Sequence, residues 1–108
     1  MGTIIRGTTP TVTFKINSNL DLSDIAEVWI TFRTKTSANQ REKTFTIDDV
    51  AIDAVEKTIT LVLTQEDTLD FLETAILVQL RVRMNDDMAY ASKIIETSIG
   101  KILKDGVI

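Results

Sequence analysis

The chain has 108 residues, 44% of them hydrophobic and 26% charged, with a net charge of -4. That is one domain's worth of sequence, and its density of Ile, Val, Leu and Phe excludes a disordered chain. It holds no Cys and no His, which removes disulfides, thiolate chemistry, the usual ligand of zinc, copper or iron, and the commonest general base.

Gly2 to Arg6 reads as a short extended start and Gly7 to Pro10 as a turn. Pro10 lacks an N–H and suits a strand start or a sheet edge. Thr11 to Asn17 alternates Val12, Phe14 and Ile16 against Thr11, Thr13 and Lys15, the period of a strand with one buried face. Asn17 to Ile25 is a connection rich in Asn, Ser and Asp, with room for a single helical turn and with Leu20, Leu22 and Ile25 plugging an end of the core. The next strand, Ala26 to Thr34, sets Ala26, Val28, Ile30 and Phe32 inward against Glu27, Trp29, Thr31 and Arg33.

Residues 35–42 are polar throughout and read as a hairpin tip. Phe45 and Ile47 then share one side of a return strand, Asp48 and Asp49 make a turn, and Val50 and Ile52 start another short run. Ala54 to Lys57 turns into Thr58–Thr64, with Ile59, Leu61 and Leu63 inward. Thr64, followed by Gln65, Glu66 and Asp67, is a capping signature: the hydroxyl can accept from the Asp67 N–H, and the acids complement the helix dipole. The helix it opens is expected to run about two turns, through Leu69 and Phe71 or Leu72, as a crossover between strands.

Ala75 to Met84 is the strongest strand, with Ile76, Val78, Leu80, Val82 and Met84 on one face and Gln79, Arg81 and Arg83 on the other. Asn85, Asp86 and Asp87 form a hairpin turn. Met88 to Leu103 runs back, and the adjacent Ile94 and Ile95 mark a bulge or a passage between two environments. A helix over residues 98–103 is the competing reading, and residues 103–108 read as a flexible tail.

The count is about seven short strands and one short crossover helix, with turn signals every ten residues or so. This predicts an all-β domain spanning residues 1–108, an immunoglobulin-like β-sandwich without the disulfide. A small barrel is the alternative.

Few residues suggest chemistry. Asp48, Asp49 and Asp53 could supply carboxylates to calcium, but the spaced Asp pattern and distal Glu of a calcium loop are absent, so turn chemistry explains them better. The same holds for Asp86 and Asp87. Ser23 between Asp21 and Asp24 has no His partner for a triad. Glu66 and Asp67 are accounted for by a helix start rather than by glycoside hydrolysis. No Gly-rich loop precedes a Lys-Ser or Lys-Thr pair, so no phosphate-cradling loop is present. No catalytic residue, cofactor or metal is expected.

The acidic balance, with no run of Lys or Arg, argues against nucleic acid. No apolar stretch approaches the roughly 20 residues that span a bilayer. Met1 to Arg6 has no secretory pattern, so synthesis and folding in the cytoplasm are expected.

Surfaces are therefore the candidates. Trp29 stands on an otherwise polar strand face. It either fills the far side of a covered sheet or is an exposed anchor for a partner. Arg81 and Arg83 share a polar face that could meet an acidic partner or could simply be solvated. Trp29 or Tyr90 could also serve as a stacking platform in a carbohydrate-binding sandwich.

Three stretches together carry a resemblance: Gly7 to Phe14; Asp21 to Asp24 followed by Val28 to Phe32; and Leu63 to Leu69 before the last hairpin, which runs from Val78 and Gln79 to Ala91 and Ser92. In this order the chain resembles a family of small proteins from tailed phages and prophages of Gram-positive bacteria, similar to the amino-terminal domain of phage baseplate upper proteins. The resemblance implies an immunoglobulin-like domain acting by protein–protein contact in the virion tail, without catalytic residues. It implies other tail or baseplate proteins, or further copies of the chain, as partners. With no long extension after Ile108, a stand-alone accessory or adaptor subunit is expected.

Overall fold

The computed structural model describes residues 3–35, 41–72 and 74–108. Strand β7, Ala75–Met84, is the centre of the larger sheet, because its even-numbered apolar residues are buried along its whole length. Beside it runs β3, Ile25–Thr34, antiparallel and in register from Glu27 opposite Arg83 to Thr34 opposite Ile76. A bulge between Ile25 and Glu27 lifts Ala26 out of the strict alternation expected for it.

β4, Glu42–Phe45, pairs with the outer edge of β3. On the other side of β7 lie β8, Ala89–Ala91, and β9, Ile95–Gly100. β1, Ile4–Ile5, closes this sheet in parallel with β9. The second sheet has the order β2, Thr11–Lys15; β6, Thr58–Val62; and β5, Val50–Asp53.

The chain is thus an all-β sandwich with one short helix. With β9, β7, β3 and β4 in one sheet and β2, β6 and β5 in the other, its strand order is that of an immunoglobulin-like sandwich. The described residues hold nine strands rather than about seven. The long return expected from Met88 is divided at residues 92–94, where the Ser92 N–H donates to the Leu80 carbonyl and the Ser92 hydroxyl oxygen accepts from the Leu80 N–H. Ile99 and Gly100 pair as strand, which overturns the alternative helix over 98–103.

The core lies between the sheets. Val12, Phe14, Ile59 and Leu61 come from the smaller sheet, and Val28, Ile30, Phe32, Val78 and Leu80 from the larger. At one end Leu22, on a 3-10 turn over Leu22–Asp24, is buried beside the start of β3. At the other end Phe71 stacks on Phe32, with centroids 5.4 Å apart, and Phe45 meets Phe32 edge-on at 5.7 Å.

Helix α1, Gln65–Leu69, starts as the sequence indicates. Thr64 Oγ1 accepts from the Asp67 N–H at 3.1 Å, and Asp67 Oδ2 accepts from the Thr64 N–H at 2.9 Å. It is shorter than the two turns expected, because Phe71 turns in to the core immediately after it. The hairpin tip expected at residues 35–42 falls largely on residues 36–40, outside the described residues. Residues 103–108 have no strand or helix, but Arg6 pairs with Asp105 at 2.9 Å and the Ile108 N–H donates to Gln65 Oε1 at 2.9 Å.

Candidate functional site

The outer face of the larger sheet carries the candidates, and strand register assembles it in transverse rows. Glu42, Arg33, Leu77 and Glu96 form one row across β4, β3, β7 and β9. Thr44, Thr31 and Gln79 form the next, with the two threonine hydroxyls 3.0 Å apart. Trp29, Arg81 and Ala91 follow, then Glu27, Arg83 and Ala89. All three residues singled out from the sequence, Trp29, Arg81 and Arg83, therefore share one face.

Trp29 is 48% exposed. Of its two readings, the filler of a covered sheet fails, since helix α1 sits at the end of the sandwich, where Thr68 Oγ1 donates to the Thr8 carbonyl, and not over this face. The Arg81 guanidinium lies over the indole, 5.6 Å from the ring centroid. Trp29 and Arg81 stand between two shallow depressions and line both. One, of about 270 Å³, continues past Thr31, Gln79, Leu77 and Ile94 to Arg33 and Glu42. The other, of about 190 Å³, reaches Glu27 and Arg83.

The charges on this face are unequally engaged. Glu27 Oε1 accepts from the Ile47 N–H at 3.0 Å and the Val28 N–H at 2.9 Å, and these two bonds hold its carboxyl below the usual range. Arg83 pairs with Asp87 at 3.4 Å, and Lys35 with Glu96 at 2.9 Å, both in open solvent. Arg81 and Arg33 have no carboxylate within ion-pair distance among the described residues.

Tyr90 is on the other side. It sits opposite Val82, whose side chain faces the core, and lines a separate depression of about 290 Å³ at the sandwich edge with Ile16 and Leu20. Trp29 and Tyr90 thus cannot act as one platform. The acidic loops have turn roles: Asp49 accepts from the Thr46 N–H at 2.9 Å, Asp53 from the Val55 and Glu56 N–H groups at 3.0 Å, and Asp86 from the Met88 N–H at 3.0 Å. Asp21 accepts from the Ser23 hydroxyl and N–H, and its carboxyl is held low by both. Among the described residues, no three His, Cys, Asp or Glu side chains gather as a metal set.

Among the groove residues that had not been singled out from the sequence as contact residues are Arg33, Glu42, Leu77 and Ile94. Arg33 had a visible signal, since it lies four positions from Trp29 on a period-two strand. Leu77 had one too, as an apolar residue at an outward position of β7. Glu42 joins the face only through long-range pairing with β3, and Ile94 only through the link between β8 and β9, both paired to β7. No protein-family model matches this chain, and no curated protein is similar to it.

Proposed function

We propose that this chain is a non-enzymatic structural protein of a phage or prophage virion, associated with the tail or baseplate and working by protein–protein contact. The virion assignment is supported by the resemblance of Gly7 to Phe14, Asp21 to Asp24 with Val28 to Phe32, and Leu63 to Leu69 to small tail proteins. The mode of action is supported by one observation above the others: the chain's single Trp is 48% exposed on an open sheet face, and the arginine stacked on it has no carboxylate partner among the described residues. Trp and Arg are the side chains most enriched at interface hot spots. In this reading the sandwich is the scaffold, the outer face of β3 and β7 is the contact surface, and the protein is made in the bacterial cytoplasm and ends in the particle.

The test is co-purification. Tail particles from a lysogen encoding this chain should contain it, and the purified chain should co-elute with a tail or baseplate protein. Trp29→Ala should abolish that co-elution. Absence from particles, together with no co-elution, would count against the proposal.

A carbohydrate-binding sandwich is the second reading, favoured by the exposed Trp29 ring beside Thr31 and Gln79. It is the weaker one, because Arg81 already occupies a ring face that a sugar would need. A glycan array without hits would end it.

A further inference from the structure

The larger depression on the outer face has a chemistry that specifies its occupant. Its two guanidinium groups, Arg81 and Arg33, lack carboxylate partners among the described residues. They lie at opposite ends of the groove, because Arg81 stands opposite Trp29 and Arg33 stands four residues further along β3. At about 3.3 Å per residue, those two positions are about 13 Å apart. Between their rows lies the row of Thr44, Thr31 and Gln79, flanked by apolar surface from Trp29 in the Arg81 row and Leu77 in the Arg33 row, and Ile94, 57% exposed, lines the groove as well.

We infer that this groove binds an extended acidic segment of a partner protein, with a carboxylate at each end and an apolar side chain between. In an extended chain, alternate side chains share a face, so positions one, three and five of such a segment span the same distance of about 13 Å. The first carboxylate meets Arg81, the last meets Arg33, and the middle side chain lies over the Thr31–Gln79 row with Trp29 on one side of it and Leu77 on the other. The inference deepens the proposed function, and rests on its premise that this face is the contact surface.

The two ends are unequal. The indole under Arg81 holds its guanidinium in place before binding, which lowers the ordering cost. Arg33 shares its transverse row with Glu42, a like charge for any incoming carboxylate. A polyanion is a poorer fit than a segment with separated carboxylates: Glu42 lines that end, Glu96 stands in the same row, and the chain itself is acidic.

Because Trp29 is the only tryptophan, intrinsic fluorescence reports the groove directly. The probe is the blocked peptide Glu-Ser-Leu-Ser-Glu, titrated into the full chain, with Lys-Ser-Leu-Ser-Lys and a short oligothymidylate as comparisons. The acidic peptide should shift the Trp29 emission saturably, and added salt should weaken it. Arg81→Gln should weaken binding about tenfold and Arg33→Gln by less, since each removes a charge-assisted contact. Glu42→Gln should strengthen binding, a change of sign that a merely structural role would not produce.

No shift at about 1 mM peptide, where binding free energy is already only about -4 kcal/mol, would overturn the inference. So would equal or tighter binding of the lysine peptide or the oligothymidylate, or an unchanged affinity in Glu42→Gln. Circular dichroism of each variant separates loss of binding from loss of fold. If the peptide fails while co-elution with tail proteins remains sensitive to Trp29→Ala, the inference falls and the proposed function stands. If that co-elution is absent while the peptide binds, the proposed function falls alone.

Discussion

Arg81 stands directly opposite Trp29 across the β3–β7 ladder, with its guanidinium 5.6 Å from the indole centroid and no counter-ion among the described residues. Neighbouring residues on one strand consequently have different jobs. Ile30 is wholly buried in the core, while Trp29 is half open to solvent. An exposed cation–π contact contributes about 0.5–1 kcal/mol, and truncating a fully buried Ile costs about 2–5 kcal/mol. Trp29→Ala should therefore lower unfolding free energy by about 1 kcal/mol, and Ile30→Ala by several times as much. Urea unfolding followed by circular dichroism checks both, and comparable losses would mean that Trp29 belongs to the core.

The cap of α1 gives a second measurable contrast. Thr64 Oγ1 accepts from the Asp67 N–H at 3.1 Å, and Ala cannot replace that acceptor. Thr64→Ala should cost about 1 kcal/mol, within the usual range for lost caps, whereas Thr64→Ser should cost little. Thermal unfolding of both variants is the check.

These contrasts follow the line between local and long-range information. The alternation of β7 and the Thr64–Asp67 cap are written into adjacent residues, so both are legible in the sequence. The length of α1 is not, because what stops it is Phe71 stacking on Phe32, nearly forty positions earlier. The division of the last return is equally hidden, since Ser92 takes its place only through Leu80 on another strand. On the outer face, Trp29, Arg81 and Arg83 could be proposed from alternation alone. Whether Trp29 is covered depends on where α1 docks, and Thr68 fixes that by bonding to Thr8. Glu42 enters the groove by strand pairing, and Ile94 enters it from the link between two strands paired to β7, neither of which one sequence displays.

Acid should loosen the helix from the sheet. Asp67 is mostly buried, which raises its pKa, but hydrogen bonds from Lys43 and Thr64 outweigh burial and hold the carboxyl below the usual range. A carboxyl depressed in the folded state contributes stability that is complete above its unfolded value, near ~3.9, and is lost as pH falls through the folded one. Stability should therefore decline from about pH 5 downward. Asp67→Asn should be less stable at neutral pH and should show a shallower acid decline. The decline should persist in part, because Glu27 and Asp21 are held low as well. Thermal midpoints measured across this range decide it, and an unchanged pH profile in Asp67→Asn would remove this pair from the account.

The turn between the two sheets depends on one backbone conformation. Gly7 has a φ of +74°, between β1 in the larger sheet and β2 in the smaller. A Cβ there would also stand 3.2 Å from Ile102 Cδ1 and 3.4 Å from Leu69 Cδ2. Both are ends of flexible side chains that can give way, so backbone strain is the larger cost, about 1–2 kcal/mol for a residue other than Gly. Gly7→Ala should lower the thermal midpoint by about 4–8 °C per kcal/mol lost in a domain of this size. Gly7→Asn should lose less, because Asn tolerates this conformation better even though it is larger. If Asn proves the worse of the two, crowding against Ile102 and Leu69, rather than φ, sets the requirement for glycine.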